Sequence, residues 1–153
     1  MIQHEVLAIL KVHSAFFTSL IHGVTHWQTV ERNGHYLAKC NHADKKVISY
    51  FAYFHDCMRE NECEDLRHGL RGAQFAEKYR QIIDLTDIQF KQLTDACKGH
   101  TYGKRPECVT INTCWDADRL DIGRVGIKPN AKFLHSIEAK RIADFNDFSI
   151  LLS

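Results

Sequence analysis

Residues that interrupt helices are scarce in this sequence. Its 153 residues include only two prolines, Pro106 and Pro129, so proline forces no helix to end before position 106. The six cysteines form no CxxC motif, and their spacing fits neither a zinc knuckle nor a compact disulfide framework. We therefore expect reduced thiols that are buried or half-buried.

An excess of charge and a long apolar run are also missing. The formal net charge is +1, so no basic field favours nucleic acid and no acidic tail favours a basic partner. No apolar run is long enough to span a bilayer, and the first segment carries Glu5 and Lys11 instead of a signal-peptide pattern. The sequence predicts a cytoplasmic globular protein with no membrane partner and no specific nucleic-acid partner.

Helical periodicity dominates the rest of the chain. Apolar residues recur at helical spacing, as Val47, Phe51 and Phe54 do, and Thr86 with Gln89 forms the capping-box pattern that begins a helix. No segment alternates as a strand does. The predicted fold class is therefore all-α, a compact bundle of about six or seven helices. These are expected over residues 4–16, 23–40, 43–58, 64–83, from 86 onward, 110–121 and 135–143.

Two polar residues end the most apolar segment. Residues 47–54 are almost entirely aromatic or aliphatic, and His55 and Asp56 follow them directly. A carboxylate buried beside such a segment is costly unless a cation compensates its charge, and histidine, present ten times, is the commonest metal ligand. Adjacent helical side chains point about 100° apart, so His55 and Asp56 can bind one ion only if the ion lies between the two directions in which they point. The pair predicts a metal site.

Other segments carry weaker candidate ligands. His22 and His26 share a face if their helix is continuous, but Gly23 can begin the helix after His22. Asp116 and Asp118 lie about 200° apart on a helix, so they cannot both face one ion. The apolar neighbours of these aspartates indicate that one carboxylate points inward, and spacing alone does not say which.

The order of these residues resembles a known signature. His26, then His55-Asp56, then Asp118 is similar to the H…HD…D pattern of the HD-domain superfamily of metal-dependent phosphohydrolases. The contexts agree: "HWQTV" surrounds the first histidine, "YFHD" ends an apolar helix, and "DADRLD" contains the last aspartate. The similarity covers residues 20–127, the motif-bearing part of a single HD-like domain over 1–153. Within the superfamily the chain resembles small single-domain proteins with a "CWDADRLD" segment.

The resemblance implies a divalent metal site and names its ligands. Two neutral imidazoles and two carboxylates balance a divalent charge, and mixed nitrogen and oxygen donors suit octahedral Mn²⁺, Fe²⁺, Co²⁺, Ni²⁺ or Mg²⁺ better than a closed zinc site. His68 and His100 fall where two-metal members of the superfamily place further histidine ligands, so the resemblance allows one ion or two. His22 becomes a neighbour of the site. The implied ligands of the first ion are His26, His55, Asp56 and Asp118.

The resemblance also implies hydrolysis of a phosphate ester by a metal-bound water, with a small phosphorylated substrate for which a nucleotide is one candidate. Many nucleotide-cleaving relatives have an acidic residue three positions after the aspartate of the pair. Here Arg59 stands at that position and Glu60 comes one residue later. We expect Arg59 to bind a substrate phosphate, for which its planar fork is suited, and Glu60 or Asp116 to handle the proton.

Two other functions fit the same residues. Some superfamily members with extra histidines are di-iron oxygenases, which activate oxygen instead of water. A catalytically silent module would keep the site to bind a nucleotide without turnover. Metal content distinguishes the first alternative, because it requires two irons per chain, and the second would show binding without hydrolysis whichever divalent metal is supplied.

Overall fold

Seven α-helices within residues 2–152 account for the predicted periodicity. The computed structural model describes residues 2–152, so Met1 and Ser153, which end the predicted domain, lie outside the described residues. No strand occurs in residues 2–152, which confirms the all-α fold class, and no helix there is long and apolar enough to cross a bilayer. The helices are α1 (His4–His13), α2 (Val24–Asn41), α3 (Lys45–Phe54), α4 (His68–Lys78), α5 (Asp87–Gly99), α6 (Val109–Arg119) and α7 (Ile137–Phe145). Short 3₁₀ turns cover Arg80–Ile82, Ile122–Val125, Ala131–Phe133 and Phe148–Leu152.

Helix α3 is the buried centre of the fold. Asp44 caps its first turn by accepting the backbone N–H groups of Lys46 and Val47. Every residue from Val47 to Phe54 is buried, and α2, α4, α5 and α6 pack around the helix. A helix covered on all sides needs no polar face, which explains the continuous apolar run. Because His55 and Asp56 follow immediately, they lie in the interior.

Several predicted helices are too long. Helix α3 ends at Phe54 instead of continuing to Met58, and α4 begins at His68 instead of at residue 64. Met58 still packs against the core, but from a turn, and periodicity alone cannot distinguish a packed turn from a helix. The start of α5 is confirmed, because the hydroxyl of Thr86 accepts the backbone N–H of Gln89 and the Gln89 side chain accepts the backbone N–H of Thr86.

A smaller apolar cluster joins α7 to α2 and α6. Leu37 of α2, Leu120 after α6 and Ile142 of α7 are buried together. Ser136 caps α7 by accepting the backbone N–H of Ala139. This cluster holds the segment between α6 and α7 against the main body.

The cysteines are free thiols in residues 2–152, as predicted. The expectation that they are buried or half-buried is right for four of them and wrong for Cys40 and Cys63, which are exposed. Burial raises the pKa of Cys97 and keeps that thiol protonated. The remaining three are Cys57 and Cys114, which are buried, and Cys108, which is partly buried.

Candidate metal centre

Four buried histidines meet in two pairs at the ends of four helices. His26 lies in the first turn of α2, His55 directly after α3, His68 at the start of α4 and His100 directly after α5. The Nε2 atoms of His26 and His55 are 3.1 Å apart. The Nε2 atoms of His68 and His100 are 2.8 Å apart. Each pair therefore brings two ring nitrogens to one point.

The other ring nitrogen of each histidine fixes its tautomer. The Nδ1 of His55 lies 2.9 Å from the carbonyl oxygen of Ala52, and the Nδ1 of His100 lies 2.8 Å from that of Cys97. His68 makes the same bond to the Asp65 carbonyl. A carbonyl oxygen only accepts, so each Nδ1 must donate, and in the neutral ring Nε2 then carries a lone pair. Lone pairs that face each other in a buried space are stabilised by a proton or a metal ion between them.

His26 is oriented by a carboxylate instead of a carbonyl. Its Nδ1 lies 2.7 Å from Oδ2 of Asp121, and its Nε2 lies 3.3 Å from Oδ1 of Asp118. An imidazole held by a carboxylate on its far side is the usual support for a metal ligand. Asp121 was not predicted to have this role; it lies in the turn after α6, three residues after Asp118.

Asp56 stands between the two histidine pairs. Its Oδ2 is 3.9 Å from Nε2 of His26 and 3.7 Å from Nε2 of His55. Its Oδ1 is 3.2 Å from Nε2 of His68 and 3.8 Å from Nε2 of His100. The potential donors fall into two groups, His26 with His55 and Asp118, and Asp56 with His68 and His100. Since its second oxygen also faces the first group, Asp56 can serve both.

The electrostatics of the site favour a cation. Burial would raise the pKa of Asp56, but its interactions with the imidazoles of His55 and His100 hold that pKa well below its usual value. Burial would lower the pKa of His26, but hydrogen bonds to Asp118 and Asp121 raise it. The same carboxylate field that stabilises a proton on His26 would favour a metal ion there, and a bound ion would take the place of that proton. Burial lowers the pKa of the remaining three imidazoles, which keeps them neutral and able to coordinate: His55, His68 and His100.

A small cavity opens onto the centre. Its volume is about 230 Å³, and Asp56, Asp118, His68 and His100 form part of its wall. His26 and His55 lie beneath these residues and are almost inaccessible to solvent. The walls also contain three arginines, which bring positive charge next to two carboxylates: Arg59, Arg119 and Arg124.

The arginines are held by the protein and still have free donors. Arg59 donates to Oδ1 of Asp56 at 3.3 Å and to the carbonyl oxygens of Asn61 and Cys63, so two of its five N–H groups remain. Arg59 thus lines the cavity with free donors, and its role in binding a phosphate stays a prediction. Arg119 and Arg124 were missed, because an arginine near a helix end is ordinary in a sequence and only packing brings it to a cavity.

Two predicted proton-handling residues lie elsewhere. The Glu60 side chain is 72% exposed and faces Arg71, so it is not in contact with the cavity. Asp116 is fully buried but points to the opposite side of α6, where its oxygens accept the backbone N–H groups of His135 and Ser136 at 2.7 and 2.8 Å. We therefore correct both assignments. Asp116 and Asp118 diverge as the helical geometry requires, and Asp118 is the one that faces the histidines.

His22 lies outside the helix that holds His26. Helix α2 begins at Val24 after Gly23, so the four-residue spacing does not place His22 and His26 on one helical face. The Nδ1 of His22 bonds to the carboxylate of Glu62 instead. His22 is thus a neighbour of the centre, and the pair helps to hold the loop that contains Arg59.

Gly69 permits the close approach of α4 to His100. A Cβ at this position would lie 2.2 Å from the carbonyl oxygen of Cys97 and 2.9 Å from the His100 ring. We expect Gly69→Ala to displace His100 from His68 and to weaken metal binding by that pair by about 10–100-fold, the cost of disturbing the support of a ligand. Gly123→Ala is the matched control, because its Cβ would meet nothing within 4 Å. Metal titration of both variants checks this, and unchanged binding in Gly69→Ala would contradict it.

Comparison with known proteins identifies the fold. No family model and no curated protein matches the sequence. A solved structure does match: a predicted HD superfamily hydrolase from an uncultured Thermotogales bacterium, with a TM-score of 0.72 and 20% identity, over 97% of this chain and 86% of that one. The chain has the HD-domain fold. At this identity the match concerns the fold of an HD-domain protein, and the resemblance to the "CWDADRLD" group stays a prediction.

Proposed function

We propose that this HD-domain protein is a metal-dependent phosphohydrolase with two divalent ions. His26, His55, Asp118 and one oxygen of Asp56 would hold the first ion. His68, His100 and the other oxygen of Asp56 would hold the second. The observation that carries the proposal is the position of Asp56, whose two oxygens face two separate pairs of imidazole lone pairs.

The donor set fits hard or borderline divalent ions. Each group combines two imidazole nitrogens with carboxylate oxygens, a set that suits Mn²⁺, Fe²⁺, Co²⁺ or Ni²⁺, whereas Mg²⁺ prefers oxygen ligands. When bound, such ions lower the pKa of water and polarise a phosphoryl oxygen. The cavity keeps one side of the centre open to a substrate.

The arginines favour a phosphorylated substrate. Arg59, Arg119 and Arg124 surround a cavity of about 230 Å³, which is large enough for a phosphate group. Arginine binds phosphate through a planar pair of donors, and in a partly buried site each such bond is strong. The residues of the chain thus bind and orient the phosphate, and they neutralise charge that develops on its oxygens.

A di-iron oxygenase uses a similar set of ligands. The arginine-lined cavity favours an anionic substrate, which either reaction can use. The metal content and the reaction together separate the two functions.

The test is hydrolysis by protein loaded with one metal at a time. Metal-free protein is reconstituted with Mn²⁺, Fe²⁺, Co²⁺, Ni²⁺ or Mg²⁺ and incubated with small phosphate monoesters and nucleotides, and released phosphate is measured. We expect metal-dependent release that a chelator abolishes. Binding of these compounds without release under any metal would favour a silent binding module, and oxygen uptake by a form with two irons would favour an oxygenase.

A further inference from the structure

A second cavity adjoins the metal centre. Its volume is about 370 Å³, and it shares Thr101, Arg119 and Ile122 with the cavity at the metal centre. We call it the side cavity. Small-molecule sites usually occupy roughly 300–1,000 Å³. The cavity at the metal centre, which we call the metal cavity, has a volume of about 230 Å³ and holds little more than a phosphate. The rest of a substrate must therefore lie beside it.

The walls of the side cavity are apolar on one side. Ile127 is 55% exposed and Phe133 is 67% exposed, and both line this space together with the buried Pro129. An exposed phenylalanine next to a catalytic cavity provides a flat surface for stacking, and aromatic pairs gain more than the burial of their area alone. The shape and chemistry of these walls fit a planar apolar group.

The charged residues of the side cavity are all positive. Arg119 and Lys128 line it, and no aspartate or glutamate does so in the part of the chain that the structure describes. Lys128 makes no ion pair with any of residues 2–152. A third cavity lies near Arg124. Among residues 2–152, Arg124 is the one residue that lines both this third cavity and the cavity at the metal centre, and the wall of the third cavity also contains Asp121. Charge and continuity therefore both favour the side cavity for an anionic substrate.

Arg119 fixes the boundary between the two cavities. It donates to the carbonyl oxygens of His100 at 3.1 Å and of Phe133 at 3.0 Å, and its guanidinium lies over the Trp115 ring. The first bond ties it to the metal centre and the second ties it to the apolar wall. The distance between the two walls is therefore set by the protein before any ligand binds, which reduces the cost of binding.

We propose that the side cavity binds the leaving group of the substrate, and that this group is an aromatic ring with a negatively charged substituent. The inference rests on the proposed function, since the phosphate of the same molecule would lie at the metal centre. The ring would pack against Phe133, Ile127 and Pro129, and the charged substituent would lie near Lys128.

Binding to the metal-free protein tests the side cavity separately from hydrolysis. The probe is 4-hydroxybenzoate, the product expected from 4-carboxyphenyl phosphate, with phenol as the uncharged comparison. We expect 4-hydroxybenzoate to bind more tightly than phenol. Phe133→Ala should weaken its binding about fivefold to tenfold and Phe133→Leu less. Lys128→Gln should weaken it about twofold to fivefold, as for an exposed ion pair.

Matched controls come from exposed residues outside the side cavity. Lys132→Gln removes a nearby exposed charge outside the side cavity, and Ile88→Ala removes an exposed apolar side chain at the far end of α5. Neither should change probe binding. Equal affinity for 4-hydroxybenzoate in the parent, Phe133→Ala and Lys128→Gln proteins would overturn the inference.

Turnover by the metal-loaded protein separates the two proposals. We expect kcat/KM to be higher for 4-carboxyphenyl phosphate than for methyl phosphate. Phe133→Ala should reduce the preference, which is the kcat/KM of the first ester divided by that of the second. If both esters are hydrolysed and Phe133→Ala leaves the preference between them unchanged, the side-cavity inference alone would be overturned. No hydrolysis of either ester, or of the monoesters and nucleotides named above, with any metal would overturn the proposed function, and the leaving-group role with it.

Discussion

Replacing Asp56 with Asn should remove metal from both histidine pairs and abolish hydrolysis. Asn retains the size of Asp but has one neutral oxygen and an NH₂ group, so it can no longer offer a negatively charged oxygen to each pair. We expect kcat to fall by at least about three orders of magnitude. This loss is larger than the loss usually seen when one hydrogen-bond donor to a transition state is removed. Metal analysis and phosphate release on the same sample measure the two effects together.

Glu60→Gln is the matched control for this change. It also neutralises a carboxylate close in sequence, but the Glu60 side chain is exposed and faces Arg71. We expect parent metal content and parent rate in this variant. Full metal occupancy in the Asp56→Asn protein would contradict the assignment of Asp56 as the shared ligand.

The second large effect concerns stability. Asp116→Ala should lower the free energy of unfolding by about 2–5 kcal/mol, because it removes a buried carboxylate that accepts two partly buried backbone N–H groups and leaves those groups without an acceptor. Those groups belong to His135 and Ser136, which directly precede α7. Urea unfolding measures the change. Metal binding should persist, since Asp116 faces away from the histidines.

An exposed aspartate provides the comparison for Asp116. Asp95 forms an exposed ion pair with Lys91 on α5, so Asp95→Ala should cost less than about 1 kcal/mol. If Asp116→Ala kept the parent stability and lost the metal, Asp116 would be a metal ligand, and the structural role described above would be wrong.

Local patterns in the sequence predicted much of the fold. The Thr86 capping box and the apolar run of α3 are set by neighbouring residues, and both were identified correctly. The end of α3 at Phe54 was not, because Met58 keeps the helical spacing although it packs from a turn. Whether an apolar residue is in a helix or a packed turn depends on tertiary contacts that a periodic pattern does not contain.

In the candidate site too, some features follow from neighbouring residues and others depend on tertiary contacts. The choice between Asp116 and Asp118 needed the rotation of α6 about its axis, which is set by packing and not by spacing. Glu60 was attractive because it is close to Asp56 in sequence, but the turn after α3 directs its side chain to the surface. Arg119 and Arg124 gave no signal, because the folded chain alone brings them next to residues from α3, α4 and α5.

The Nδ1 bonds of the site histidines provide a built-in reporter. His55, His68 and His100 each donate this proton to a carbonyl three residues earlier in the chain, inside the folded core. Protons held in buried hydrogen bonds exchange slowly with water. In a nuclear magnetic resonance spectrum the ring N–H signals should therefore remain visible and well separated from the amide envelope. Their shifts would follow metal loading at each histidine pair in solution, before any substrate is known.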